Sequence, residues 1–451
     1  MGKYIKLKRG LNIKLAGEAK KIFSTVPLPE TFAVKPTDFI DITPKLMVKE
    51  GDQVQAGTTL FFAKHNEDIR FSSPVSGEVI EIVRGEKRKL LEIKILADKE
   101  ISYLDFNKAN PEDLSREVII EKILNSGAWP FIRQRPFGTI ANPAEVPKSI
   151  FISAFDSSPL APDYNFIMQA DETSFQTGLN AISKLTDGKL HLNIDKDKTI
   201  STVFSNAKGV EINTFSGPHP AGNIGVQVHH IDPLCKGETI WYVNPQDVVI
   251  IGKLFTKGRF EATRVLAITG SQIEQPLYYK TLVGSAVKKI LLDTGIKDGD
   301  HRIISGNVLT GKQIPVEGYS GFYDAQITVI PEGHTFEFMG WLAPGFNKFS
   351  MSRSFFSWLN PNKKYDLDTN LHGEERPFVV TGEYEKVFPM DIYPVQLLKS
   401  ILVEDLDMME KLGIYEVLEE DFALCEVVCT SKIKSQDIIR KGLEIIRKEF
   451  S

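Results

Sequence analysis

Along residues 41–97 apolar and polar positions alternate in short bursts, and glycine, proline and aspartate interrupt them. The run 49–57 sets Gly51-Asp52 at a turn, Val54 as a buried position and Gly57 at a second turn. Leu60-Phe61-Phe62 come next, then the tight Ser73-Pro74-Val75-Ser76-Gly77, then the alternating Val79, Ile80, Ile82 and Val83. The stretch reads as short strands separated by tight turns, in two turn-and-strand halves. Beyond it the period changes. A helix is predicted over 114–126, followed by loops punctuated at Pro130, Pro136, Pro143 and Pro147. A strand over 149–153 precedes a helix over 174–185, where Phe175, Leu179, Ile182 and Leu185 recur at helical spacing. A second strand covers 189–194. The apolar run 248–251 stops after a few residues, as a buried strand does, and the alternation through 252 predicts a partly parallel sheet.

From Arg264 the pattern shifts again. A strand over 263–269, a segment 284–295 containing a helix (Val287, Leu291, Leu292) and a strand over 302–306 read as a β-grasp-type block. The last sixty residues are helical in pattern, over 394–402, 405–412, 419–430 and 436–450. Acidic residues mark the helix starts, and Ser435 precedes the final one. The predicted fold class is therefore multidomain, α+β with an α/β core. Its divisions are N-terminal strands in 1–105, an α/β domain in 106–260, the β-grasp block in 261–335, and a linker with a C-terminal helical domain in 336–451.

Length supports that division, since 451 residues exceed one ordinary core and imply roughly two to four domains. With 42% apolar and 25% charged residues the chain is a globular one, not a collagen-like repeat or a disulfide-stapled mini-protein. The 54 basic and 59 acidic residues leave a net charge of −5, which gives no general pull toward nucleic acid or anionic lipid. Three cysteines (Cys235, Cys425, Cys429) cannot frame a disulfide scaffold or ligate an iron–sulfur cluster that needs four thiolates. The reducing cytoplasm is the expected compartment. No run approaches the roughly 18 apolar residues of a membrane span, and Lys3, Lys6, Lys8, Arg9 and Lys14 interrupt any signal-peptide pattern. Membrane contact is expected to be peripheral. Charge is uneven: 1–21 holds seven basic residues against Glu18, and 404–421 holds eight acids against Lys411. Such runs are solvated faces or docking surfaces for a charged partner.

Candidate chemistry is sparse. No two glycines stand one residue apart, so the phosphate-cradling G-x-G-x-x-G is absent, as are the P-loop and the G-x-S-x-G elbow. Cys425 and Cys429 share a helix face at i and i+4, in a packing role. The passage 216–230 concentrates His219, His229 and His230 in a glycine- and proline-rich loop leading to a strand. Imidazoles there suit a rigid turn, a contact to a ligand carbonyl, or a metal, for which Asp232 is the one acid close by. Phe155 and Asp156 open a loop after a strand, where α/β proteins bind ligands. The aromatic stretch around Trp341 suits core packing, a flat ligand or a partner surface.

Several of these segments carry resemblances. The N-terminal turns resemble the biotinyl/lipoyl carrier fold, a flattened sandwich of two sheets; its attachment lysine has a weak counterpart in Lys64, which falls early in the segment 61–70 without a flanking methionine. Ser216-Gly217-Pro218-His219-Pro220-Ala221-Gly222, Trp241-Tyr242-Val243-Asn244-Pro245-Gln246-Asp247-Val248 and Gly252-Lys253-Leu254-Phe255 resemble the A-subunit family of the Na+-translocating NADH:quinone reductase. So do Phe338-Met339-Gly340-Trp341, the stretch 384–392 and Glu419-Glu420-Asp421-Phe422-Ala423-Leu424-Cys425. The sequence departs from the family in having Gln227 where members tend to have His. The resemblance implies a peripheral subunit on the cytoplasmic face of the bacterial inner membrane, in a pump coupling electron transfer from NADH to quinone with Na+ export. It implies a Rossmann-like α/β domain related to the flavin subunit of complex I, and an SLBB-like character for the β-grasp block. Flavins and an iron–sulfur centre would sit on partner subunits and no cofactor on this one. It would act as a docking scaffold, chiefly for the membrane-embedded B subunit, or else bind ubiquinone or menaquinone. His219, His229, His230, Tyr242, Phe155 and Trp341 are then the candidate quinone contacts. No catalytic residue, metal site or nucleic-acid partner is expected.

Overall fold

The alternation of the first hundred residues closes into two small sheets. Their strands are β2 (Thr31–Val34), β3 (Pro44–Leu46), β4 (Gln53–Val54), β5 (Thr59–Ala63), β6 (Asn66–Ser72), β7 (Gly77–Arg84) and β8 (Leu90–Ala97), preceded by β1 (Tyr4–Lys6). The computed structural model describes residues 2–25, 27–334, 337–340 and 342–449. Sheets β2-β8-β7-β4 and β3-β5-β6 enclose Phe32, Leu60, Phe61, Phe71, Ile93 and Ile95. Phe61 and Phe71 stack at 4.4 Å between ring centroids. Lys64 occupies the β5–β6 turn itself, exposed between Ala63 and His65. The basic strand β1 does not join this sandwich. It pairs in parallel with a strand more than 200 residues later.

That strand belongs to a second layer built from α1 (Arg116–Ser126), β9 (Arg133–Arg135), β10 (Ser149–Ser153), α2 (Tyr164–Ile167), α3 (Glu172–Ser183), β11 (Lys189–Asp195), α4 (Thr202–Ser205), β12 (Glu211–Ser216), α5 (Ile224–Ile231), β13 (Ile240–Tyr242) and α6 (Pro245–Lys257). The sheet order is β1-β12-β11-β10-β13-β9, parallel except for the edge strand β9. Two expectations are corrected here. The run 248–251 lies inside α6, not in a strand. Asn244 caps that helix through its side chain, Pro245 fills its first turn, and burial on every side leaves no polar face to betray the helical period. The histidine passage likewise ends in helix α5, not a strand. Ile224, Val226 and Val228 alternate as a strand would, but each packs into a core rather than against a ladder.

The third sheet, β15-β14-β18-β16-β17, comprises β14 (Thr263–Thr269), β15 (Tyr278–Leu282), β16 (His301–Ser305), β17 (Lys312–Gln313) and β18 (Gln326–Pro331). Helix α7 (Val287–Thr294) seals it with Val287, Ile290 and Leu291. After Pro331 the chain runs for some fifty residues in which the described residues form one short 3₁₀ turn, Phe356–Leu359, before α8 (Tyr384–Val387). The close is α9 (Pro394–Leu402), α10 (Leu406–Lys411), α11 (Ala423–Val428) and α12 (Ser435–Glu449). The helix expected over 419–430 is a 3₁₀ turn, Glu419–Phe422, running into α11, with Cys429 as its cap. Cys425 and Cys429 are both buried.

The α/β sheet has two covered faces. Ile150 and Ile152 of β10 enter the core shared with α3, α6 and the sandwich. Phe151 points the other way, into a core with Leu398, Ile401, Phe422, Ile439 and Leu443 of the C-terminal helices.

Candidate functional site

Strand order fixes where a ligand could enter this sheet. The chain moves outward from β10 to β11 and β12, then returns to place β13 on the other side of β10. The crevice above the carboxyl ends of β10 and β13 is the topological switch point, where open α/β sheets take ligands. A cavity of about 230 Å³ lies there. Ser153, Phe155 and Asp156 reach it from the end of β10, and Tyr242 and Asn244 from the end of β13. Asn223 and Ile224 come from the start of α5, Arg133 from edge strand β9. The third sheet closes the cavity with Gly306, Asn307, Leu309 and Thr310 and with Tyr323–Gln326, and Glu420 closes it from the C-terminal region.

Three of the sequence candidates meet in this cavity: His219, Tyr242 and Phe155. The Ser157 hydroxyl accepts from the Gly222 N–H at 2.8 Å and lies 3.0 Å from His219 Nδ1. A hydroxyl oxygen has two lone pairs, so this contact fits either tautomer of the neutral ring; with Ser157 donating to Nδ1, the ring proton would sit on Nε2. Burial pushes the imidazole down to about 4, against the opposing charges of Asp156 and Glu420. His219 is thus a neutral imidazole at neutral pH. Burial raises the phenol of Tyr242, so it too stays protonated. Asn244 donates from Nδ2 to the Tyr164 hydroxyl at 2.9 Å and fixes that ring beside the cavity.

His229 and His230 stand elsewhere. His229 accepts the Asp391 N–H on Nε2 at 2.9 Å and donates from Nδ1 to Glu416 at 2.8 Å. His230 donates from Nε2 to the Pro389 carbonyl at 3.0 Å. Both rings hold the C-terminal region onto α5 and do not line the cavity. Trp341 lies outside the described residues. The acidic run is spent in the same way. Glu404, Glu410, Glu416, Glu419, Glu420 and Asp421 pair with Lys441, Lys236, His229, Arg440 and Arg135 inside the chain, which leaves little of it for a partner.

Sequence reasoning missed Arg133, Tyr164 and Tyr323. Arg133 falls in a stretch read as loop, and its neighbour Tyr323 is nearly 200 residues away on another sheet. The guanidinium carbon stands 4.6 Å from the Tyr242 ring centroid and 4.2 Å from that of Tyr323. Where a dinucleotide-binding sheet has its glycine turn, the loop after β10 reads Phe155-Asp156-Ser157-Ser158. No group of three or more His, Cys, Asp or Glu among the described residues is arranged to hold a metal.

A barrel-like sandwich, a switch-point α/β domain and a small β block closed by C-terminal helices define the class of protein. The family comparisons agree segment by segment. Residues 5–98 match the NqrA N-terminal barrel-sandwich hybrid domain, 114–260 the NqrA second alpha/beta domain, and 265–315 the NQRA C-terminal domain. Over its whole length the chain is 37% identical to the A subunit of the Na(+)-translocating NADH-quinone reductase from Photorhabdus laumondii, with 99% of this chain and 100% of the relative covered. The same protein from Alcanivorax borkumensis gives the same identity and coverage, and that from Rhodopirellula baltica 36% over 98% of each chain. The chain belongs to this A-subunit family. Among solved structures, an air-oxidised NAD+-reducing [NiFe]-hydrogenase shares 10% identity at a TM-score of 0.38 over 76% of this chain and 63% of its own, too slight a likeness to argue from.

Proposed function

We propose that this protein is a docking scaffold for the membrane-embedded part of an NADH:quinone reductase that exports Na+, chiefly its B subunit, on the cytoplasmic face of the inner membrane. The segment after Pro331 carries the reading. Phe338 is 95% exposed, and Leu342, Phe346, Phe356, Trp358 and Leu359 are each about half exposed or more. Apolar exposure concentrated on one irregular segment marks an interaction surface. The segment lies against the basic N-terminal arm, where Lys14 Nζ donates to the Pro361 carbonyl at 2.7 Å and Leu15 bridges Tyr365. No helix among the described residues is long and apolar enough to cross a membrane, so contact with membrane subunits would run through such a surface. The strand order supports reading 106–260 as Rossmann-like, and we keep the division at 105, 260 and 335, with β1 crossing from the first division into the sheet of the second. Electron-carrying cofactors would belong to the partners.

A second reading rests on the cavity: it receives a quinone head group. His219 and Tyr242 supply neutral donors for ring carbonyls, and Phe155 supplies an apolar wall. One paired experiment addresses both readings. Full-length chain carrying Phe346→Ser and Trp358→Ser is expected to lose B-subunit capture and to keep binding ubiquinone-0 in calorimetry. His219→Ala is expected to do the reverse. Capture unaffected by the double variant would refute the scaffold surface, and absence of saturable binding to the wild type would refute the quinone reading.

A further inference from the structure

Among the described residues lining the switch-point cavity, Arg133 is the one cation, and its guanidinium makes no hydrogen bond or ion pair with any described residue. Its neighbour in sequence shows the contrast. Arg135, fully buried, donates to Asp421 at 3.0 Å, to Glu420 at 2.6 Å and to the Glu416 carbonyl at 3.0 Å. A guanidinium packed on aromatic rings keeps its in-plane N–H edge for an acceptor. Inside a cavity, an unmatched charge of this kind is costly unless something supplies the acceptor.

The carboxylates of the cavity are not equivalent. Glu420 is held by Arg135, and Asp324 accepts the Ser305 hydroxyl. Asp156 accepts the Ser158 N–H on Oδ1, which leaves Oδ2 without a partner. Asp156 and then Glu420 act on His219, and the tyrosines 242 and 323, Glu420 and Asp247 act on Arg133. Arg133 stands on edge strand β9 and Asp156 just past β10, with β13 between them, so among the described residues the cavity has an unpaired cation on its β9 side and an open carboxylate oxygen near the neutral imidazole on its β10 side.

We propose that Arg133 makes this cavity select the reduced quinone ring as its mono-anion over the oxidised ring. The ring O⁻ would lie on the guanidinium, and the opposite ring O–H would donate to Asp156 while accepting from His219. This rests on the quinone reading above. Oxidised quinone is neutral and offers two acceptors, which Arg133 and His219 can each meet, but it has no donor to give and leaves Asp156 Oδ2 facing a carbonyl oxygen. Two electrons and one proton convert it to an anion with one acceptor and one donor, which matches both ends. A charge-assisted hydrogen bond favours the anion by about tenfold or more over a neutral ring.

The test uses the full-length chain and three ring probes: 4-nitrophenol above its ionisation pH, its neutral ether 4-nitroanisole, and ubiquinone-0. In the wild type the phenolate is expected to bind about tenfold tighter than the ether. Arg133→Gln should abolish that preference and change ubiquinone-0 affinity far less. Arg133→Lys, which keeps the charge without the fork, should retain part of it, and it keeps the proposal testable if Arg133→Gln does not fold. Equal binding of phenolate and ether, or a preference that survives in Arg133→Gln, would overturn the proposal while ubiquinone-0 binding left the quinone reading standing. Failure of all three probes would remove both.

Discussion

His219 shows how much a single side chain owes to its surroundings. Burial holds its imidazole at about 4, below the ordinary 6.5, so the folded chain keeps it neutral where the unfolded chain would protonate it. Between these values the unfolded state binds more protons. Stability contributed by His219 is therefore full at neutral pH and is lost as pH falls through about 6.5 toward 4. On acidification from about pH 7 to about pH 5 the wild type should lose on the order of 2 kcal/mol more than His219→Gln. Urea unfolding at the two pH values measures this, and parallel losses in the two proteins would refute it. Which histidine mattered was only half legible beforehand. Three imidazoles crowd one passage of sequence, but Ser157 turns one toward the cavity while Glu416, Asp391 and Pro389 claim the other two. Those partners lie as far as 187 residues away, and no local pattern points to them.

Helices α5 and α6 were the elements that periodicity described worst, and for one reason. Amphipathic patterns reveal a helix only when one face meets water. Helix α6 crosses α3 so closely that a Cβ on Gly252 would stand 1.7 Å from the Ser174 carbonyl oxygen, and one on Gly178 would stand 2.1 Å from that of Val248. Two glycines at one helix crossing let backbones touch, and neither can accept a side chain. Gly252→Ala should therefore cost at least about 2 kcal/mol, read as a lowered urea midpoint. A midpoint unchanged from the wild type would mean that the two helices can part without loss. By contrast, the strands 149–153 and 263–269 and the helix 394–402 begin and end where the sequence pattern places them. Turn residues and caps bound them locally.

Across the whole chain, Arg135 is the residue that ties edge strand β9 to the C-terminal helices. Its side chain and that of Asp421 are about fully buried, 1% and 0% exposed. A Cβ on Gly225 would fall 2.4 Å from Asp421 Oδ2, so α5 packs directly against the pair. Arg135→Met would leave Asp421 buried without its cation, at a cost of about 3–5 kcal/mol. The C-terminal helices should then become sensitive to limited proteolysis before the sandwich does. Simultaneous digestion of both would count against Arg135 as the tie. The amino-acid sequence by itself determined the strand-rich N-terminus, the α/β centre and the helical close, because turns, caps and periodicity act within a few residues. It also carried the family resemblance, through motifs spread over most of the chain. Only the tertiary structure decided that β1 joins a sheet more than 200 residues on, that most of the acidic run pairs within the chain, and that Arg133, His219, Tyr242 and Tyr323 line one cavity. Each of these is a contact between distant segments, set by which faces must be buried together, and that information is held in no single stretch of sequence.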